Sequence, residues 1–327
     1  MNRWGGRMDR VGRSFTAGYI CPMSSFFHIA FDPVYAHPLP AAHRFPMLKY
    51  ELIPGQLLYE GVIQSSNLVR PRVCPDEIIL LTHTVEYVRK LKRQELTAKE
   101  QRQLGFPQSP ALTFREWVIV QGTIDCCHAA LGNSIAFNVA GGTHHAFAGR
   151  GEGFCLLNDF AVAANYLLYK KLASRILIID LDVHQGNGTA SIFSCEPRVF
   201  TFSMHGAHNY PFRKERSDLD IGLADGTNDE EYLGRLVTVL PVLLKEFCPD
   251  FAFYLSGVDI LATDKLGKLG VSMQGCTSRD RFVFETLRRA AVPCVVAMGG
   301  GYSPDIRIIT EAHCNTFRLA KDIFNLE

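Results

Sequence analysis

Residues 175–188 read RILIIDLDVHQGNG. The first six are short, aliphatic and rich in β-branched side chains, with almost no polar interruption, as in a strand covered on both faces. The apolar run stops abruptly at a loop that carries Asp180, Asp182 and His184 at alternate positions and closes on Gly186, Asn187 and Gly188. A buried strand whose charge is spent immediately past its end places chemistry at that end.

The same pattern recurs in both directions. Residues 134–139 (SIAFNV), 199–204 (VFTFSM), 251–256 (FAFYLS) and 293–298 (PCVVAM) have the same short, buried-strand character. Between them lie helical patterns at 158–172, 230–247 and 278–290, with Asn228 or Asp229 as N-cap of the second and Pro249 as its stop. Residues 77–103 also read as helical, with Glu86 and Lys90 at i,i+4 spacing, and the proline-bearing stretch 32–75 reads as a loop-rich cap on the sheet. Strand and helix in alternation predict an α/β fold: one three-layer α/β/α domain around a mostly parallel sheet. No repeat or low-complexity linker divides it, so the expected organisation is a disordered or extension segment at 1–25 followed by one domain at 26–327.

With 47% hydrophobic and 20% charged residues, the chain of 327 has the composition of a globular protein with a large core. A net charge of +1 offers no whole-chain field for nucleic acid or an anionic membrane. No run approaches the ~20 apolar residues of a membrane span. The 10 cysteines lack any C-x-x-C pair, and Cys126 and Cys127 are adjacent, which reads as reduced thiols in a cytoplasmic setting. The arginine-rich, acid-poor start has some transit-peptide character, but it reads as an extension more than as a secretory signal.

The other strands also end in polar residues: Gly141-Gly142-Thr143-His144-His145, Gly257-Val258-Asp259 and Gly299-Gly300-Gly301-Tyr302. In open parallel sheets ligands bind beyond the carboxyl ends of the strands, so these loops converge on one rim. Asp182 and His184, two residues apart, could bind one metal with Asp259 as third ligand, and three protein ligands with an open position describe a catalytic zinc site. Such oxygen and nitrogen donors also suit manganese or iron(II). An imidazole of the pair His144-His145 could deprotonate metal-bound water and protonate a leaving amine. A Tyr302 hydroxyl could meet an oxyanion. A lone D-x-H more often caps a turn, and adjacent histidines are often structural; it is their combination at strand ends that argues for a site. Neither Gly299-Gly300-Gly301 nor Gly151-Glu152-Gly153 fits a nucleotide-binding signature.

These motifs resemble the zinc-dependent histone deacetylase family, on the arginase/deacetylase fold, and most closely its class IV branch and bacterial relatives. The resemblance runs from about Phe27 to the C-terminus: HPLP (37–40), HRFPM (43–47), GGTHHAF (141–147), GEGFCLLND (151–159), DLDVHQGNG (180–188), FSMHG (202–206), SGVD (256–259), DKLGKLG (264–270) and GGGY (299–302). It implies one zinc ion on Asp182, His184 and Asp259, with His145 as general acid/base, His144 as its electrostatic partner and Tyr302 as oxyanion donor. It implies Asp180 as the carboxylate behind the first histidine, a potassium site at Asp180, Asp182, His184, Ser203 and Met204, and a substrate tunnel lined by Gly153, Phe154, Tyr210 and Leu266. The implied reaction is hydrolysis of acetyl or longer acyl amides of lysine in a protein or peptide, with acetylpolyamines or other small acyl-amines as alternatives and a silent acyl-lysine-binding module as the non-enzymatic one. Direct nucleic-acid binding is not expected.

Two positions depart from the common family pattern. Asn187 stands where many members carry Asp opposite the second histidine, which predicts a lower pKa for His145. Thr143 stands where a bulky aromatic is common, which predicts room for longer acyl groups. A two-manganese arginase-like site is disfavoured, because Leu261 and Asn187 occupy places that would need carboxylates.

Overall fold

The five apolar runs form strands where the pattern puts them. The structure, a computed structural model, describes residues 26–41 and 43–327, so the extension expected at 1–25 lies outside the described residues. In chain order the elements are β1 (Ile29–Ala30), α1 (Lys49–Tyr59), β2 (Leu68–Val69), α2 (Asp76–Ile79), α3 (Val85–Arg93), α4 (Ala98–Leu104), α5 (Pro110–Asn133), β3 (Ile135–Asn138) and α6 (Asp159–Tyr169). They continue with β4 (Ile176–Asp180), α7 (Asn187–Phe193), β5 (Val199–Gly206), β6 (Leu219–Leu223), α8 (Asp229–Phe247), β7 (Phe251–Leu255), α9 (Met273–Arg289), β8 (Cys294–Ala297) and α10 (Ile306–Phe324).

The strands form one eight-stranded sheet in the order β2-β1-β3-β8-β7-β4-β5-β6. Every pair is parallel, so all carboxyl ends face one rim. Alternation along the strands builds the layers. On β7, Phe253 packs against Phe160 of α6 while its neighbour Tyr254 meets Phe284 of α9. On β3, Phe137 packs on Phe284 and Phe317, and the next residue, Asn138, hydrogen-bonds Ile119 and Thr123 of α5. A period of two thus sends adjacent side chains to opposite helical layers. One layer holds α5 with α6, and the other holds α1, α10, α9 and α8 packed in sequence.

Two expectations are corrected, the helix at 77–103 and the start of α9. Residues 77–103 are not one helix but α2, α3 and α4, because Thr84 and Thr97 each start a new one: their hydroxyls accept from Tyr87 N and Glu100 N, and Glu100 completes a capping box. The cap at 32–75 is loop-rich as expected, with one α-helix among its described residues. That helix is α1, which includes Pro54 and packs on α10. α9 starts five residues earlier than the pattern at 278–290, where the Ser272 hydroxyl accepts from Gly275 N at 3.0 Å. For α8, Asn228 is the cap, accepting from Glu231 N, while the Asp229 carboxylate accepts from Ser272 N and its hydroxyl instead. The nine described cysteines are all free. No helix among the described residues is long and apolar enough to cross a membrane.

Candidate metal centre and acyl-amine site

β4 and β7 are neighbours in register, Asp180 opposite Leu255, so the loops that follow them emerge side by side. One brings Asp182 and His184, the other Asp259. Their ligand atoms lie within 4.8 Å of one another, and all three residues are buried. His184 Nδ1 is 3.0 Å from Asp182 Oδ1 and 3.1 Å from Asp259 Oδ2. The remaining carboxylate oxygens are held by backbone: Val183 N donates to Asp259 Oδ1 at 2.9 Å and Gly300 N to Asp182 Oδ2 at 2.8 Å. A Cβ on Gly300 would collide with the Asp259 carboxylate, so only glycine lets this backbone approach.

Two carboxylates in a dry interior need a cation. Burial alone would lower His184, yet the hydrogen bonds and charges of Asp182 and Asp259 outweigh it and carry the imidazole up to about 10. Burial, and then the Asp182 charge, push Asp259 upward. The donor set of two oxygens and one nitrogen therefore fits one divalent ion. No other cluster of three such groups occurs among the described residues.

The paired histidines face this centre, and each Nδ1 is held from behind. His144 Nδ1 is 2.7 Å from Asp180 Oδ2, and its Nε2 lies 3.9 Å from Asp182 Oδ1. His145 Nδ1 is 2.7 Å from Asn187 Oδ1. The two rings are 4.1 Å apart, and His145 is 6.0 Å from the His184 ring. Burial works against a charge on His144, but Asp180 prevails and raises it. For His145, burial and the neighbouring His144 and His184 hold the imidazole well below its ordinary value. Tyr302 closes the far side, 6.3 Å from the His184 ring, its backbone N–H donating to Asp264 Oδ2 at 2.6 Å. Burial and the Asp182 and Asp259 charges push its phenol well above the ordinary range, so the hydroxyl remains a donor.

The four expected tunnel residues all line a cavity of about 620 Å³ that opens onto His145, His184 and Tyr302. Gly153 and Phe154 both have left-handed φ, +55° and +69°, and their N–H groups donate to the carbonyls of Gln103 and Leu104 at the end of α4. Tyr210 lies 5.1 Å from the His145 ring, and Leu266 accepts from Asn209 Nδ2. Asp180 and Ser203 are register partners, with Met204 next, while the Ser203 hydroxyl lies 2.9 Å from His205 Nδ1.

Several site residues were not read from the sequence. Glu152 accepts from Asn187 Nδ2 at 3.0 Å and from the Tyr210 hydroxyl. Asp264 ties the Leu266 loop to Tyr302. Lys49, fully buried, donates from Nζ to Gly299 O at 2.6 Å. Arg115 lines a second, inner cavity of about 40 Å³ beside Asp182 and His184, together with Thr143, which the sequence did single out. The quoted motifs contained Glu152 and Asp264, but only tertiary contact reveals their partners.

Comparison with known proteins bears on this arrangement. Residues 43–317 match the histone deacetylase domain. An uncharacterised protein of Picosynechococcus sp. is 45% identical over 299 residues, covering 91% of this chain and 99% of that one. Histone deacetylase 2 of Arabidopsis thaliana is 32% identical, covering 84% of this chain and 74% of that one. A crystal structure of an HDAC homolog complexed with SAHA superposes with a TM-score of 0.79 at 26% identity, covering 93% of this chain and 85% of the other.

Proposed function

Because this chain belongs to the histone deacetylase family, we propose that it is a zinc-dependent amidohydrolase that removes acetyl groups from lysine side chains, with residues 26–327 as its catalytic domain. The observation that carries this reading is the convergence of Asp182, His184 and Asp259 within 4.8 Å, faced by two histidines and a tyrosine. Zinc bound there would supply a Lewis acid that polarises the amide carbonyl and makes water a stronger nucleophile.

The protein's own groups do the rest. His145, neutral because its burial disfavours the imidazolium, accepts a proton from the attacking water and then delivers it to the departing lysine amine. His144, held by Asp180, places a polarised ring beside it. Tyr302 donates its hydroxyl to the developing oxyanion. The substrate's alkyl stem would run between Phe154 and Tyr210, flanked by Gly153 and Leu266. A potassium ion at Asp180, Asp182, His184, Ser203 and Met204 rests on the family resemblance alone, and potassium titration against thermal stability tests it.

Two observations bear on the substrate. The inner cavity of about 40 Å³ has room for roughly three water-sized spheres at ~10–15 Å³ each, which suits a short acyl group. Thr143 lines it with its hydroxyl turned to Asp159 at 2.7 Å, and the small volume of the cavity favours acetyl over longer acyl groups. The outer cavity includes Arg44, Arg102 and Lys268, and Glu152 is the one carboxylate in its lining. A polyamine cation finds no free acid there, which favours lysine in a peptide over acetylpolyamines.

The deciding experiment is a panel of acetyl-lysine, myristoyl-lysine and acetylpolyamine substrates, with metal content measured in parallel. The reading requires turnover on acetyl-lysine peptides that a chelator abolishes and zinc restores. Binding of acetyl-lysine without turnover by zinc-loaded protein would sink it.

A further inference from the structure

We propose that Glu152 is a positioning residue for amide hydrolysis: through the Asn187 side chain it dictates which ring nitrogen of His145 carries the hydrogen. The proposal rests on the role given to His145 above, but its geometry stands on separate contacts.

Which atoms can donate decides the orientation of each group. An ionised carboxylate only accepts hydrogen bonds, an amide has one accepting and one donating end, and a neutral imidazole has one of each. Glu152 Oε1 lies 3.0 Å from Asn187 Nδ2, which fixes the NH2 end of the amide on the Glu152 side. The Asn187 oxygen must then face His145 Nδ1, at 2.7 Å. That oxygen only accepts, so the hydrogen sits on Nδ1 and Nε2 keeps its lone pair. Only in this tautomer does Nε2 act as a base.

The Asp180–His144 pair needs no such device. A carboxylate facing Nδ1 accepts from it whichever way it turns. Asn187 is 2% exposed and has two unlike ends, so reversing it would place an NH2 group against Nδ1, drive the hydrogen to Nε2 and remove the base. Something outside the pair must therefore tell the amide which way to face. Glu152 does so, and it is itself fixed by the Tyr210 hydroxyl and by Arg150 Nε, 3.5 Å from its other oxygen. Its side chain is 15% exposed, on the wall where the tunnel meets the catalytic pair.

The test is a double-mutant cycle on zinc-loaded protein with an acetyl-lysine peptide, using Glu152→Met, Asn187→Asp and the double variant. In the parent background, Glu152→Met removes the acceptor that holds the amide, and kcat falls tenfold or more with KM changed less than threefold. Asn187→Asp alone sets two carboxylates face to face and also lowers kcat. In the Asn187→Asp background the same Glu152→Met change raises kcat, because the introduced carboxylate accepts from His145 unaided and the repulsion is gone. This reversal of sign is what a merely structural role would not give. Equal losses in both backgrounds, or an effect on KM alone through Tyr210, would overturn the proposal. Nitrogen-15 NMR of the His145 ring supplies a readout independent of turnover: Nδ1–H in the parent protein, Nε2–H gaining population in Glu152→Met. An unchanged tautomer overturns the proposal even if hydrolysis is intact, whereas a protein that hydrolyses nothing yet shows the tautomer switch would discard only the deacetylase reading.

Discussion

Tyr302 and His145 make different demands on the same pocket, and each can be separated by one substitution. The Tyr302 hydroxyl is held as a donor by burial and by the carboxylates nearby. On the proposed reading its contribution would arise where negative charge develops, so Tyr302→Phe should lower kcat by about 10²–10³ with little change in KM, as for loss of one oxyanion donor. Steady-state kinetics on one acetyl-lysine peptide checks this. As the base of the proposed reaction His145 would have to be neutral to accept a proton, so activity should rise with pH through its pKa. Burial and the adjacent imidazoles lower that pKa, which sets the acid limb of the profile below the ordinary histidine value. Replacing Asn187 by Asp puts a negative charge against Nδ1 and favours the imidazolium. The acid limb of kcat/KM should therefore move to higher pH in Asn187→Asp, and an unmoved limb would mean that His145 is not the titrating base. These residues were legible because strand-end loops concentrate acids, imidazoles and a phenol in a few short motifs. Lys49 and Arg115 were not, since their site contacts come from helices far away in sequence and carry no local pattern.

At the scale of elements, the site depends on keeping two strand ends together. Arg279 of α9, fully buried, donates to the carbonyls of Gly257, Ser256 and Leu181, so one guanidinium spans the ends of β7 and β4 just before the ligand loops. Its counter-charge, Asp280, also accepts from Tyr254 and Thr316. Removing one partner of a buried pair leaves an uncompensated charge, so Arg279→Met should cost about 3–5 kcal/mol of stability, read by urea or thermal unfolding. Zinc retention should weaken along with it. The strands that this clamp joins were the most readable part of the sequence, because each is a continuous apolar run buried on both faces. β1 and β2 are two residues long and too short for any period to show. β6 pairs only at the sheet edge and alternates exposed and half-buried residues, so LDIGL lacks the core-strand signature. The 24-residue α5 is buried along much of its length, which blurs the amphipathic stripe that marks a surface helix.

The whole molecule carries two consequences of where its charge lies. Asp182 and Asp259 are buried in a core that must fold around them, so on the proposed reading the folded protein would bind zinc, whereas the unfolded chain would not present the assembled site. Free metal at a thousandfold excess over its Kd would add about 4 kcal/mol to stability, so chelation should lower Tm and zinc should restore it, as differential scanning fluorimetry would show. The second consequence concerns the mouth. Net charge is only +1, yet Arg44 and Arg102 stand at the entrance with no carboxylate in ion-pair distance among the described residues, and Lys268 reaches only Asp225, at 3.9 Å. Glu152 is already engaged by Asn187, Tyr210 and Arg150. The entrance therefore presents a local positive field that the chain average conceals. A peptide with aspartate or glutamate beside the acetyl-lysine should have a higher kcat/KM than one with lysine or arginine there. The groups are exposed, so the preference should shrink as salt is raised beyond 0.1 M, where the Debye length is about 10 Å. Reversing the charge in Arg44→Glu/Arg102→Glu should invert the order of the two peptides. An order that ignores both salt and charge reversal would assign peptide selection to the apolar wall instead.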